Sequence, residues 1–352
     1  MKELYPWQKS DLLRLKALSN RLPHGILFKG AKGIGKFDLA MNFAQSLLCQ
    51  TSVATDLACG KCSSCHWFEQ ATHPDFRLLQ PGSIAIKESE DDEKAWGWTR
   101  RIAEEALDEQ ARRDKKPSKE ITIDQVRNLA DFAGMSAHQG GRRVVVICPA
   151  EAMNTNAANA LLKNLEEPPQ DMLFILVSQK PQQLLPTILS RCMQFTLSSP
   201  DAASATLWLK EQGVKDPAGA LAASGFAPLE AVKLDQKTSS EERAILIRAI
   251  RQPRELDVFA LAESLQKTEQ ILVVQWLLQW SYDLVSMKLA GSLRYHPGEE
   301  TMIRNLVKPV ASLNLARLQK YLQTAKREAQ HTLNSKLFFE SLMVVYRQLM
   351  LE

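Results

Sequence analysis

The sequence predicts an α/β domain built on a mainly parallel sheet, followed by a small helical segment and an all-helical C-terminal region. Three observations carry this. Over the first two hundred residues, short apolar runs alternate with longer patterns of helical period. A glycine-rich loop, Gly30-Ala31-Lys32-Gly33-Ile34-Gly35-Lys36, joins the first run to a helical pattern. After about Ser199 the strand signals stop, and from Ser240 onward every strong pattern has helical period. The expected division is therefore 1–199, 200–239 and 240–352.

The strands are read in order from Gly25-Ile26-Leu27-Phe28, Phe76-Arg77-Leu78-Leu79, Val144 to Cys148, Leu173 to Val177, and Met193 to Leu197. The helix after Lys36 repeats Leu39, Phe43 and Leu47 beside Ala40, Ala44 and Leu48, which makes one apolar face. Leu184 to Cys192 reads as a helix running directly into a strand. Asp201 to Leu234 reads as short helices broken at Pro217 and Pro228. Val274, Leu277, Leu278, Leu284, Val285 and Leu289 mark one later helix, and Phe338, Leu342, Val345 and Leu349 mark the last.

Composition narrows the class. With 352 residues the chain has room for two or three domains. Apolar residues make up 45%, while Gly 15 and Pro 16 total only 31, which excludes a disordered or fibrous chain. No apolar run approaches the roughly 20 residues of a membrane span. The opening Met1 to Trp7 is too polar for a signal-peptide core, so a cytoplasmic protein without a membrane partner is expected. A net charge of +4 is too small for a protein coated in nucleic acid and leaves room only for a local basic patch.

One segment stands apart. Lys87 to Glu120 holds 20 charged residues among 34, a density that argues for a solvated helix, a disordered loop or both. Trp96 and Trp98 inside it leave a partner-docking role as the second reading.

The glycine-rich loop has the context of a phosphate-binding loop, in which backbone amides and a helix N-terminus face phosphate. Gly30, Gly35 and Lys36 occupy the phosphate-contacting positions. The next residue should carry a hydroxyl for magnesium, and it is Phe37. The central strand Arg143 to Ile147 should end in a carboxylate pair, and it ends in Cys148-Pro149. Glu151 lies beyond the strand and is assigned to the first turn of the next helix. Metal stabilisation of the transferred phosphoryl is worth several kcal/mol. The expectation is a vestigial site that does not hydrolyse ATP, with weak nucleotide binding through Lys36 left open.

Four of the six cysteines lie between Cys49 and Cys65. Cys59, Cys62 and Cys65 have two-residue spacing, and Cys49 supplies a fourth thiol, the donor set of a closed structural Zn2+ site. An iron–sulfur cluster is the runner-up, and His66 or His73 in place of Cys49 is a further alternative. Cys148 and Cys192 read as small buried side chains.

Arg191, in the last helical turn of Leu184 to Cys192, is by position alone a favourable charge at a helix C-terminus. A wider set of residues changes that reading. Tyr5-Pro6-Trp7, the degenerate loop, the four cysteines, Thr72-His73-Pro74-Asp75, Ala157 to Lys163 running into Leu165-Glu166-Glu167-Pro168-Pro169, and Ser190-Arg191-Cys192 together resemble the bacterial clamp-loader family of AAA+ proteins, most closely its delta-prime branch. The resemblance covers most of 1–199 and reaches only weakly into the helical remainder.

It implies an AAA+ domain, a helical lid, and a helical collar that joins a hetero-pentamer with gamma/tau-type motor subunits and a delta subunit. It implies contact with a sliding clamp and primed DNA through that assembly, within the DNA polymerase III holoenzyme. Carried over, Arg191 becomes an arginine finger acting in trans on a neighbour's ATP, the one catalytic role expected of this chain. Ser224 to Leu229 resembles the region where ATP-hydrolysing relatives carry a second sensing arginine, and none is present. The insertion at 87–120 is longer than the family leads one to expect. Two other readings compete with this one: an active AAA+ ATPase, opposed by Phe37, Cys148 and Pro149, and a zinc-ribbon nucleic-acid reader, opposed by the modest charge.

Overall fold

The computed structural model describes residues 3–352 except 19–20, 52–56, 93–94, 114–115, 135–136, 139–140, 237–238, 330 and 332–333. The chain forms two compact units, Met1–Ser199 and Pro200–Glu352.

In the first unit five strands, β1 (Gly25–Lys29), β2 (Phe76–Leu79), β3 (Arg143–Ile147), β4 (Met172–Ser178) and β5 (Met193–Thr196), form one sheet in the order β2-β3-β4-β1-β5. Every pairing is parallel, as the alternation of strand and helix signals predicts. The eight helices described here are α1 (Lys9–Ala17), α2 (Lys36–Leu48), α3 (Ser63–Glu69), α4 (Gly82–Asp91), α5 (Gly97–Arg113), α6 (Ile123–Gly134), α7 (Thr155–Glu166) and α8 (Pro186–Arg191).

Strand side chains alternate between two apolar layers. Ile26, Phe28, Val144, Val146, Leu173 and Ile175 pack with α2 residues such as Leu39 and Phe43. Leu27, Val145, Ile147, Phe174 and Leu176 pack against α6, α7 and α8 through Val126, Leu161 and Ile188. With β3 and β4 buried at every residue, these strands read as continuous apolar runs. Because β1 lies between β4 and β5, the loop leaving its C-terminal end opens at the sheet edge where parallel α/β folds place ligands.

The charged segment takes the helical form, one of the expected alternatives, but the docking role of its tryptophans is overturned. It forms the second half of α4 and all of α5, and its tryptophans are core residues rather than a docking surface. The Trp98 ring meets Phe76 edge-on at 4.8 Å, Trp96 meets Phe68 at 6.1 Å, and Trp96 Nε1 donates to Asp38 Oδ1 at 3.0 Å. Its density of charge conceals two large buried anchors.

The second unit is helical throughout its described residues: α9 (Ala202–Glu211), α10 (Pro217–Ala223), α11 (Pro228–Gln236), α12 (Ser239–Ile250), α13 (Val258–Leu265), α14 (Gln270–Ala290), α15 (Glu300–Val307), α16 (Ser312–Glu328) and α17 (Ser335–Leu351). Pro217 and Pro228 open helices, where a missing N–H costs nothing. A small apolar cluster joins α9 to α11 through Leu209, Leu221 and Ala231, and a larger one joins α12 to α17 around Trp276, Trp280, Phe339 and Tyr346. No helix among the described residues is long and apolar enough to cross a membrane.

Candidate functional site: a phosphate loop, a thiol cluster and an arginine

The glycine-rich loop leaves β1 and enters α2 with Gly35 as the N-cap, at φ 81. That left-handed conformation suits glycine, and the space also excludes a side chain. A Cβ at Gly35 would lie 2.5 Å from Gln8 Nε2 and 2.6 Å from the Tyr5 ring. Gln8 Nε2 donates to the Ile34 carbonyl at 3.1 Å and the Gly35 carbonyl at 2.6 Å, and Trp7 Nε1 donates to Ile34 at 3.0 Å. Tyr5 stacks on Trp7 with centroids 5.2 Å apart, and its hydroxyl donates to Asp38. Burial, with the Asp38 carboxylate beside it, pushes the Tyr5 phenol well above its usual range. The N-terminal segment thus braces the loop from outside.

Lys36 is buried and turned inward. Its Nζ donates to the Gly30 carbonyl at 3.0 Å and the Ala31 carbonyl at 2.5 Å. Burial pushes this ammonium below its ordinary value, while Cys148 and Glu151 act in the opposite sense. Phe37, at the hydroxyl position, packs on the apolar layer beneath the loop. At the end of β3, Cys148 is buried, and burial holds its thiol far above the ordinary range. A neutral thiol at that point holds no magnesium. Glu151 lies in the first turn of the short 3-10 helix Ala150–Ala152 that follows β3. Its Oε1 accepts the Gln179 N–H at 3.0 Å, at the exit of β4, while Asn154 caps α7.

The four sulfurs of Cys49, Cys59, Cys62 and Cys65 lie within 4.8 Å of one another. Cys49 to Cys62 and Cys59 to Cys65 are each 3.9 Å apart, close to the ~3.8 Å edge of a tetrahedron with zinc–sulfur bonds of about 2.3 Å. Backbone amides already point at the sulfurs: Cys59 N at Cys49 Sγ (3.3 Å), Lys61 N and Cys62 N at Cys59 Sγ (3.4 and 3.3 Å). Hydrogen bonds from Thr51 and from those two amides lower the Cys59 thiol to about 5. The donor set, spacing and N–H···S bonds fit a structural zinc site. The same amide arrangement would stabilise the thiolates that a metal requires.

His73 takes no part in that cluster. Its Nδ1 accepts the Asp75 N–H at 3.1 Å, and its Nε2 meets Ser64 Oγ at 2.8 Å, while Ser64 donates to the Leu48 carbonyl. Burial lowers its pKa, in keeping with a neutral ring that ties the cysteine loop to β2. His66 is exposed and outside the cluster.

Arg191 ends α8 with its side chain 34% exposed. Its Nη1 donates to the Thr187 carbonyl at 3.1 Å, and its Nη2 pairs with Glu166 Oε1 at 2.6 Å.

Comparison with known proteins decides which family builds this arrangement. The family model described as DNA polymerase III, delta subunit, matches residues 7–201, more than half of the chain. DNA polymerase III subunit delta' of Pseudomonas aeruginosa is 37% identical over 295 residues, covering 82% of this chain and 79% of that one. The chain belongs to the DNA polymerase III delta-prime family. DNA polymerase III subunit delta' of Yersinia pestis is 28% identical over 92% of this chain and 89% of its own length. DNA polymerase III subunit tau of Escherichia coli is 32% identical over 192 residues, covering 53% of this chain and 24% of tau.

Within this delta-prime family member, the loop, the thiols and Arg191 all lie in the first unit. Sequence reading singled out each of them but not the side-chain contacts that Gln8, Asp38 and Glu166 make around them. No local pattern marks these three. Gln8 reaches its partners 26 and 27 residues downstream, and Trp96 reaches Asp38 across 58.

Proposed function

We propose that this chain is the non-hydrolysing, delta-prime-type subunit of the sliding-clamp loader in the replicative DNA polymerase III holoenzyme. It scaffolds a cytoplasmic hetero-pentamer with gamma/tau-type motor subunits and a delta subunit, which loads the clamp on primed DNA. The observation that carries the non-hydrolysing part is the phosphate loop. It keeps its backbone course, yet Phe37 and Cys148 stand where metal ligands belong and Lys36 bonds to the loop's own carbonyls. Without a metal or a carboxylate, charge developing on a transferred phosphoryl has no counterpart here.

In this reading the chain's contribution to chemistry is Arg191, presented in trans to ATP on an adjacent motor subunit. Its planar, permanently charged fork suits bidentate contact with phosphate oxygens. Helices α9 to α11 form the lid and α12 to α17 the collar. Cys49, Cys59, Cys62 and Cys65 hold one Zn2+. Four sulfur donors leave no open coordination position, so the ion supplies loop stability and no catalysis.

Reconstitution tests the proposal. The pure chain should show no ATP hydrolysis. In a loader assembled with motor and delta subunits, clamp and primed DNA, Arg191→Ala should slow hydrolysis at the one interface it serves by roughly 10³-fold or more. Hydrolysis by the pure chain would restore the ATPase reading. An intact Arg191→Ala assembly turning over at the wild-type rate would reduce the chain to a scaffold.

A further inference from the structure

We infer that Glu166 is a positioning residue for Arg191, holding the guanidinium across the gap between two helix ends so that its remaining N–H bonds are aimed outward. The inference rests on the reading of Arg191 as a finger for a neighbour's nucleotide. Two features of the chain support it.

The first is the partner itself. Arg191 Nη2 lies 2.6 Å from Glu166 Oε1, while Nη1 donates to the Thr187 carbonyl and reaches Ser190 Oγ at 3.5 Å. By valence this leaves Nε–H and one Nη2–H of the five guanidinium N–H bonds. Thr187 lies four residues back on α8, so without Glu166 the side chain has only its own helix end to bond, and the carbonyls there draw a cation inward. Glu166 pulls the far edge of the fork toward α7 instead. The placement does nothing for α7, since a carboxylate in a last helical turn opposes the helix dipole.

The second is the frame beneath the pair. Gly25, at the start of β1, sits where a Cβ would lie 3.1 Å from both Leu165 Cδ2 and Cys192 Sγ. The residues flanking Glu166 and Arg191 are thereby packed against one strand, with Leu165 and Cys192 both buried. The two backbones cannot drift apart, so the carboxylate–guanidinium geometry is set by the core. A finger must deliver its charge to within a fraction of an ångström, and misplacement of about 1 Å can cost on the order of 10²-fold in rate.

The test is a double-mutant cycle in the reconstituted loader, read as pre-steady-state ATP hydrolysis with clamp and primed DNA. Glu166→Ala should lower the rate at the Arg191 interface about tenfold, with the KM for ATP unchanged. Glu166→Gln, which keeps an acceptor oxygen at the same reach, should recover part of that loss. In an Arg191→Ala background, Glu166→Ala should add nothing, because its effect runs through the arginine. Melting of the free chain should be unmoved, since a pair this exposed contributes little to folding. A wild-type or faster rate for Glu166→Ala overturns the inference, as does a further loss in the Arg191→Ala background. If Arg191→Ala alone changes nothing, the finger reading itself has failed, and the positioning role falls with it.

Discussion

Substituting Gly35 by alanine tests whether the loop is held as a braced structural element. Two terms add. At φ 81 an alanine bears the left-handed strain, about 1–2 kcal/mol. Its Cβ would also stand 2.5 Å from Gln8 Nε2, so the buried Gln8 amide must withdraw from the Ile34 and Gly35 carbonyls. Two such bonds contribute about 2 kcal/mol net. The sum is about 3–4 kcal/mol, which in a unit of this size lowers Tm by roughly 6–16 °C. Thermal unfolding by circular dichroism reads it directly. In a Gln8→Ala background the added loss from Gly35→Ala should shrink, because the two bonds have already gone. A shift under about 2 °C, or an equal loss in both backgrounds, would refute the argument that Gln8 braces the loop.

Two further outcomes concern the metal and pH. The purified chain should carry one zinc per molecule. Cys62→Ser or exhaustive chelation should remove it and lower the melting temperature by several degrees or more. Zero zinc in metal analysis of the native protein, or the visible absorbance of an iron–sulfur cluster, would defeat the assignment. In the second unit, Asp283 accepts the His296 backbone N–H and its ring Nδ1–H, while His296 Nε2 faces Arg243 Nη2 at 3.0 Å. Burial is the main cause of a lowered His296 pKa. Asp283 opposes it, and Arg243 and Arg251 add to it. The unfolded chain therefore takes up the proton first. Stability present in full above the ordinary histidine pKa of about 6.5 should be lost as pH falls below it. Urea unfolding from pH 7.5 to 5.5 should fall more steeply for wild type than for His296→Asn, and parallel curves would remove His296 from the account.

The contrast between what was and was not legible follows interaction range. The apolar runs at Val144 to Ile147 and Leu173 to Val177 announce buried parallel strands because burial on both faces leaves no polar alternation. Phe37 and Cys148 speak against metal binding wherever they fold, since neither side chain supplies a hard oxygen ligand. The spacing of Cys59, Cys62 and Cys65 is a local fact, because a two-residue gap suffices to bring sulfurs to one point. Arg191 likewise announced its place at a helix end.

The two tryptophans of the charged segment show the limit. A window over 87–120 averages charge, but folding acts on side chains, and Trp96, just before α5, and Trp98, in its first turn, reach the core. Glu151 bonds to the Gln179 amide, which the pairing of β3 with β4 brings near, whereas His73 accepts from the Asp75 amide only two residues along the chain.

The make-up of the site was readable along the chain: which phosphate-loop ligands are missing, which sulfurs can gather, and which arginine stands at a helix end. Those are properties of residue type and short spacing, and they survive in any fold that preserves local order. How each group is held emerges from the folded chain alone. Lys36 folds onto the carbonyls of its own loop, and one parallel sheet carries α1 and α2 on one face and α7 and α8 on the other, so that Gln8 braces Gly35 and Glu166 meets Arg191. Contacts across 25 or more residues follow from sheet order and packing, and no local pattern in the chain encodes them.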